Sequence, residues 1–172
     1  MGEIDHERLA NLCAHIAEQR LPRWNALPDL ELYMDQVLSL MERYLGNYPG
    51  FDRKGLTAAM VNNYVKLGVM PPPVKKKYTR VHLAHLIMIC LLKASLPIEL
   101  IKNLILSSLK GQDEREVYDH FCEEFEASAK SAAEAALTDE GAAKVYRAAL
   151  RAQAEQAVAH ELYEEMFRKE TT

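Results

Sequence analysis

Residues 56–80 read LTAAMVNNYVKLGVMPPPVKKKYTR, and residues 81–106 continue VHLAHLIMICLLKASLPIELIKNLIL. Thr57 is suited to cap a helix over 58–67, and Gly68 to end it. A 3.6-residue period turns Leu56, Met60, Tyr64 and Leu67 inward, with Val61 and Val65 beside them. Ala58, Ala59, Asn62, Asn63 and Lys66 are left on or near the outside. Pro71, Pro72 and Pro73 stiffen the chain into an extended segment. The alternation that follows predicts a short hairpin or wing over 74–80, with Val74 and Tyr78 as inward anchors and Lys75, Lys76, Lys77 and Arg80 displayed. Thr79 or Arg80 opens a further helix to about residue 94. It is apolar over most of its circumference, as a central helix must be. Ser95-Leu96-Pro97 restarts the chain for a helix over 97–109, closed by Gly111.

This stretch carries the chemistry. Asn62 and Asn63 each donate and accept, which suits base edges in a groove, and the small Ala58 permits close approach. The helix start and Thr57 can meet a phosphate. Lys66, Lys75, Lys76, Lys77 and Arg80 suit backbone phosphates, which give affinity and salt dependence more than sequence choice. Tyr78 is either an inward anchor or a phosphate donor, and either His82 is placed near a phosphate or His82 and His85 both lie at the surface. Two solvated asparagines and a proline-rich docking segment are the blander alternatives. His82 and His85 are spaced i, i+3, but no third ligand completes a metal set, so neither metal nor cofactor is expected.

Charge is segregated along the 172 residues. Residues 1–50 hold 4 basic and 8 acidic side chains, residues 51–110 hold 10 and 2, and residues 111–172 hold 7 and 15. No acid lies between Arg53 and Glu99. A basic block of this kind can focus potential on a polyanion, or can pack against its acidic ends.

The flanks read as helical. A first helix is expected over 5–20 with Asp5 as cap, stopped by Leu21-Pro22. Trp24 and Leu27 anchor a connector, and a second helix over 30–45 is opened by Asp29 or Pro28 and ended by Gly46. The glycine-rich 46–55 follows no phosphate-loop spacing. Beyond Gly111, a helix over 113–136 and another from a Thr138 cap to about 169 could form a hairpin, within one chain or across a homodimer. Tyr118, Phe121, Phe125, Tyr146 and Tyr163 read as ordinary packing, the alternative being an apolar effector pocket in the tail. No catalytic motif is visible, so the chain is not expected to be an enzyme. Three scattered cysteines fit a reducing cytoplasm, and the longest apolar run is too short to span a bilayer.

The stretches LTAAMVNNYVKLGVMPPP, KKKYTRVHL and SLPIELIKNLI resemble the head of MerR-type regulators. More closely, residues 21–106 are similar to a bacterial family known as a domain of unknown function, DUF1836. The carrying motifs are LPRW, LPDLELYMDQV, MVNNYVK and PPPVKKKYTR. The resemblance implies a recognition helix over 56–67, a wing over 74–80, and a preceding helix over 32–45. The expectation is a mainly all-α protein with a winged helix-turn-helix head, residues 1–110, and an acidic helical tail, residues 111–172. Its implied role is a transcription regulator binding duplex DNA, with a homodimer through the C-terminal helices. A helical protein-interaction module is the other reading. The sequence names no effector.

Overall fold

A computed structural model describes residues 6–48, 55–137 and 143–167. Seven α-helices occur among them: α1 (His6–Ala17), α2 (Met34–Leu45), α3 (Ala58–Leu67), α4 (Arg80–Leu92), α5 (Ile98–Ser108), α6 (Glu114–Leu137) and α7 (Ala143–Phe167). A single 3-10 turn spans Trp24–Ala26. No extended strand forms among the described residues, only two isolated bridges, Leu32 with Tyr78 and Val74 with Lys77. No described helix is long and apolar enough to cross a membrane. The architecture is all-α.

The chain divides into two compact units. One is residues 20–126, and the other joins residues 1–19 to 127–172. The first is built on α4. Its nine consecutive residues from His82 to Cys90 are all buried, which is why this helix shows no amphipathic face. α2 packs on α4 with Val37, Met41 and Leu45, and α5 packs on it with Ile101 and Ile105. α3 contributes Val61 and Tyr64 and packs on α2.

The start of α6 closes this core with Tyr118 and Cys122 fully buried and Phe121 and Phe125 against them. The connector before α2 is strapped to α6. The Tyr118 hydroxyl donates to the Pro22 carbonyl at 2.8 Å, and the Trp24 N–H donates to Asp119 at 2.8 Å. Arg23 donates to the Asp119 carbonyl and to the Glu126 carboxylate, at 2.8 and 3.0 Å. These bonds carry the unit on to Glu126, inside α6, well past the boundary expected at residue 110.

Other boundaries differ from expectation for identifiable reasons. α2 starts at Met34 and not at residue 30, because Leu32 exchanges both backbone hydrogen bonds with Tyr78 and so stays extended. Leu30 is therefore exposed outside the helix. Val74, expected to anchor inward, is 69 % exposed. α1 ends at Ala17, short of residue 20. The proposed caps Asp5 and Thr138 lie outside the described residues.

The second unit holds α1, the later part of α6 and α7. Cys13, Ala129 and Ala133 are buried there. α7 buries little: Val145, Tyr146, Leu150, Val158, Leu162 and Met166 are all exposed.

His82 and His85 are buried within this run of α4, each 5 % exposed, which corrects the surface position expected for them. Neither ring nitrogen of His85 has a hydrogen-bond partner among the described residues. Burial pushes its pKa down to about 4, against an opposing effect of the Val69 carbonyl, and burial lowers that of His82 as well. Both rings are thus neutral in the folded chain at pH 7. The unfolded chain takes up these protons near pH 6.5, so it binds more protons than the folded one below that pH. Stability is full above pH 6.5 and is lost as the pH falls from there towards 4. For His85 the slope approaches about 1.4 kcal/mol per pH unit between these limits, and His82 adds to the loss in the same direction. Urea unfolding at pH 7.5 and pH 5 is expected to show this loss. His85→Leu is expected to shrink it, and an unchanged pH dependence in that variant would contradict the assignment.

Candidate nucleic-acid interface

α3 is delimited by its own sequence. The Thr57 hydroxyl accepts the Met60 N–H at 3.3 Å, satisfying one donor of the first turn. At the other end Gly68 adopts φ +70°, a conformation that costs glycine little. Its N–H reaches the Val65 carbonyl, and the Val69 N–H reaches the Tyr64 carbonyl, both at 3.0 Å. That is the paired bonding of a Schellman motif, and the buried Val69 and Tyr64 complete it. The Lys102 ammonium from α5 donates to the Leu67 carbonyl at 2.9 Å. Sequence reading missed this role for Lys102, because nothing in local spacing ties residue 102 to residue 67.

The outward face of α3 carries Thr57, Ala59, Asn62, Asn63 and Lys66, all exposed, while Ala58 is half-buried. Val69 and Met70 are buried, and the three prolines then lead into the turn. Residues 74–77 form a hairpin with a two-residue loop, in which the Lys77 N–H donates to the Val74 carbonyl at 2.9 Å. Lys75 and Lys76 have φ of +51° and +64°. Positive φ at both central positions belongs to the type I′ turn, which ordinarily selects asparagine and glycine. Two lysines there are strained, by roughly 1–2 kcal/mol each on the general cost of the left-handed region. Both are exposed at the tip.

The remaining basic and aromatic positions serve the fold. Lys77 is ion-paired to Glu31, which raises its pKa through their hydrogen bond. Arg80 turns inward: its Nε donates to the Leu27 carbonyl at 3.1 Å, its guanidinium lies 3.7 Å from Asp29, and it sits 5.7 Å over the Trp24 ring. It clamps the connector, contrary to the display expected of it. Tyr78 is buried, its backbone paired with Leu32 and its ring edge against His82 at 5.3 Å. The Nδ1 of His82 accepts the Thr79 N–H at 2.9 Å, so this ring caps α4. Neither Tyr78 nor His82 is available to a phosphate.

The surface set that remains is Thr57, Asn62, Asn63, Lys66, Lys75 and Lys76. Asp29 and Glu31 approach the base of the turn from the connector, a proximity invisible in the one-dimensional charge count. No group of three or more His, Cys, Asp or Glu that could hold a metal occurs among the described residues. Burial pushes the Cys90 and Cys122 thiols up to about 11, away from nucleophilic chemistry. Replacing Lys75-Lys76 by Asn-Gly is expected to raise stability by about 1 kcal/mol or more, since those residues accept the turn's conformation. Urea unfolding of the variant checks this, and a loss of stability would show that the lysines are not strained.

No curated protein matches the chain, and no solved structure matches it. The family model for the domain of unknown function DUF1836 matches residues 22–124. That segment falls within two residues, at each end, of the compact unit 20–126. The chain belongs to the DUF1836 family, and the family's segment is the α4-centred unit that carries α3 and the lysine turn.

Proposed function

We propose that the protein is a DNA-binding transcription regulator whose α3 and 74–80 turn contact duplex DNA, in the manner of a winged helix-turn-helix head. One observation carries the reading. Lys75 and Lys76 are held at positive φ on an exposed turn tip, where two other residues would fold better. Strain kept at a surface position points to a use other than folding, and two adjacent ammonium groups suit backbone phosphates. Support comes from α3, whose exposed Asn62 and Asn63 are suited to base edges and whose first turn can meet a phosphate. No acidic residue interrupts the sequence from α3 through α4.

The same reading uses two copies of the chain. α7 exposes Tyr146, Leu150, Val158 and Leu162, and an apolar helix surface of this kind calls for a partner. Its first half carries Lys144, Arg147 and Arg151, and its second half Glu155, Glu161, Glu164 and Glu165. Antiparallel pairing of two α7 helices about Glu155 sets each basic half against an acidic half, as a two-fold interface requires.

Fluorescence anisotropy with a labelled duplex tests the DNA contact. Lys75→Glu with Lys76→Glu is expected to weaken retention at low salt at least tenfold. It should also flatten the slope of log affinity against log salt by about 2, one for each phosphate no longer neutralised. Asn62→Ala with Asn63→Ala is expected to keep affinity for random duplex and to alter sequence preference. Duplex retention unaffected by the lysine changes would refute the assignment. For the dimer, Leu150→Glu with Leu162→Glu should give monomers in sedimentation, and an unaltered mass would rule out α7 as the interface.

A further inference from the structure

A second surface of the 20–126 unit has no part in the DNA reading. α4, α5 and the start of α6 leave a trough of about 470 Å³ between them. Its floor is apolar: Met88 and Leu92 from α4, Leu104 and Ile105 from α5, Val117 and Phe121 from α6. Along one wall stand Glu116, His120 and Glu124, spaced four apart and so on one face of α6, a row about 12 Å long. Ser108 and Gln112 complete the lining, and no lysine or arginine takes part in it. The row has little structural work. His120 approaches Glu123 and Glu124 only at 3.9 and 4.0 Å, and the Glu124 side chain is 69 % exposed.

An apolar floor beside two exposed carboxylates, Glu116 and Glu124, is complementary to one kind of occupant. An amphipathic helix that inserts side chains at i, i+4 and i+7 spans about 10 Å with its anchors, close to the length of the row. Lysines or arginines flanking those anchors would meet Glu116 and Glu124 at the wall. A polyanion is repelled by the same carboxylates, which separates this surface from the lysine turn. We propose that the trough docks a basic amphipathic helix of a partner protein.

The test uses the full chain and three labelled 18-residue helical peptides sharing one leucine pattern, flanked by lysine, by glutamate or by glutamine. Anisotropy gives affinity, and amide shifts in 15N–1H spectra give the location. The lysine peptide is expected to bind most tightly and to shift Leu92, Leu104, Val117 and Phe121. Glu116→Lys with Glu124→Lys, both exposed and without a role in the core, is expected to weaken it about tenfold. Glu123→Lys, beside Glu124 but outside the trough, is expected to change it less than twofold. The proposal is overturned by no binding of the lysine peptide, by equal binding of all three peptides, by an effect of Glu123→Lys equal to that of the Glu116→Lys, Glu124→Lys pair, or by shifts away from the trough. Concentration-dependent broadening of the trough signals without peptide would assign it to a second copy of the chain, and would also overturn it.

Discussion

The burial of α4 on every side is the constraint from which the rest of the 20–126 unit follows. Nine consecutive buried residues cannot be covered by one neighbour, so α2, α3, α5 and the start of α6 all contribute to one core. The two histidines on this helix show the strength of that demand. Burial holds them neutral, at a cost in hydrogen bonding that the surrounding apolar packing outweighs. The first turn of α4 then fixes what comes before it. Thr79 is held by His82, and Tyr78 is buried against the same ring and paired with Leu32.

The lysine turn is a consequence of those anchors at one end and of α3 at the other. The Schellman ending of α3 buries Val69, the prolines stiffen the run that follows, and Tyr78 is pinned, so the chain between must reverse within a few residues. A two-residue loop is the shortest solution, and its left-handed backbone is imposed on whatever residues occupy it. That they are lysines, not asparagine and glycine, is a choice the core does not explain. The same economy explains Lys77 and Arg80, which lie close enough to Glu31, Asp29 and Trp24 to be drawn into the fold.

Much of this was legible in the residue order. α3 was readable to the residue, because Thr57 and Gly68 mark its ends by local bonding alone. The apolar circumference of α4 announced a central helix, and the positions of α5 and α6 followed from periodicity within two residues. What escaped were contacts between segments distant in sequence. Arg23 with Glu126, Tyr118 with Pro22 and Arg80 with Leu27 span 53 to 103 residues. No spacing rule announces them. They tie the start of α6 to the connector and turn Arg80 inward, while the pairing of Tyr78 with Leu32 takes Tyr78 from the surface. Alternation suggested that Val74 points inward, but a turn this tight leaves no interior for it.

The central claim is that the amides of α3 and the two strained lysines form one binding surface for duplex DNA. Amide shift mapping of the full chain on titration with a random duplex tests it most directly. The account predicts shifts concentrated at Thr57, Asn62, Asn63, Lys66, Lys75 and Lys76, saturating together and collapsing as salt is raised. Shifts confined to other segments, or at α3 and the turn with different midpoints, would contradict it.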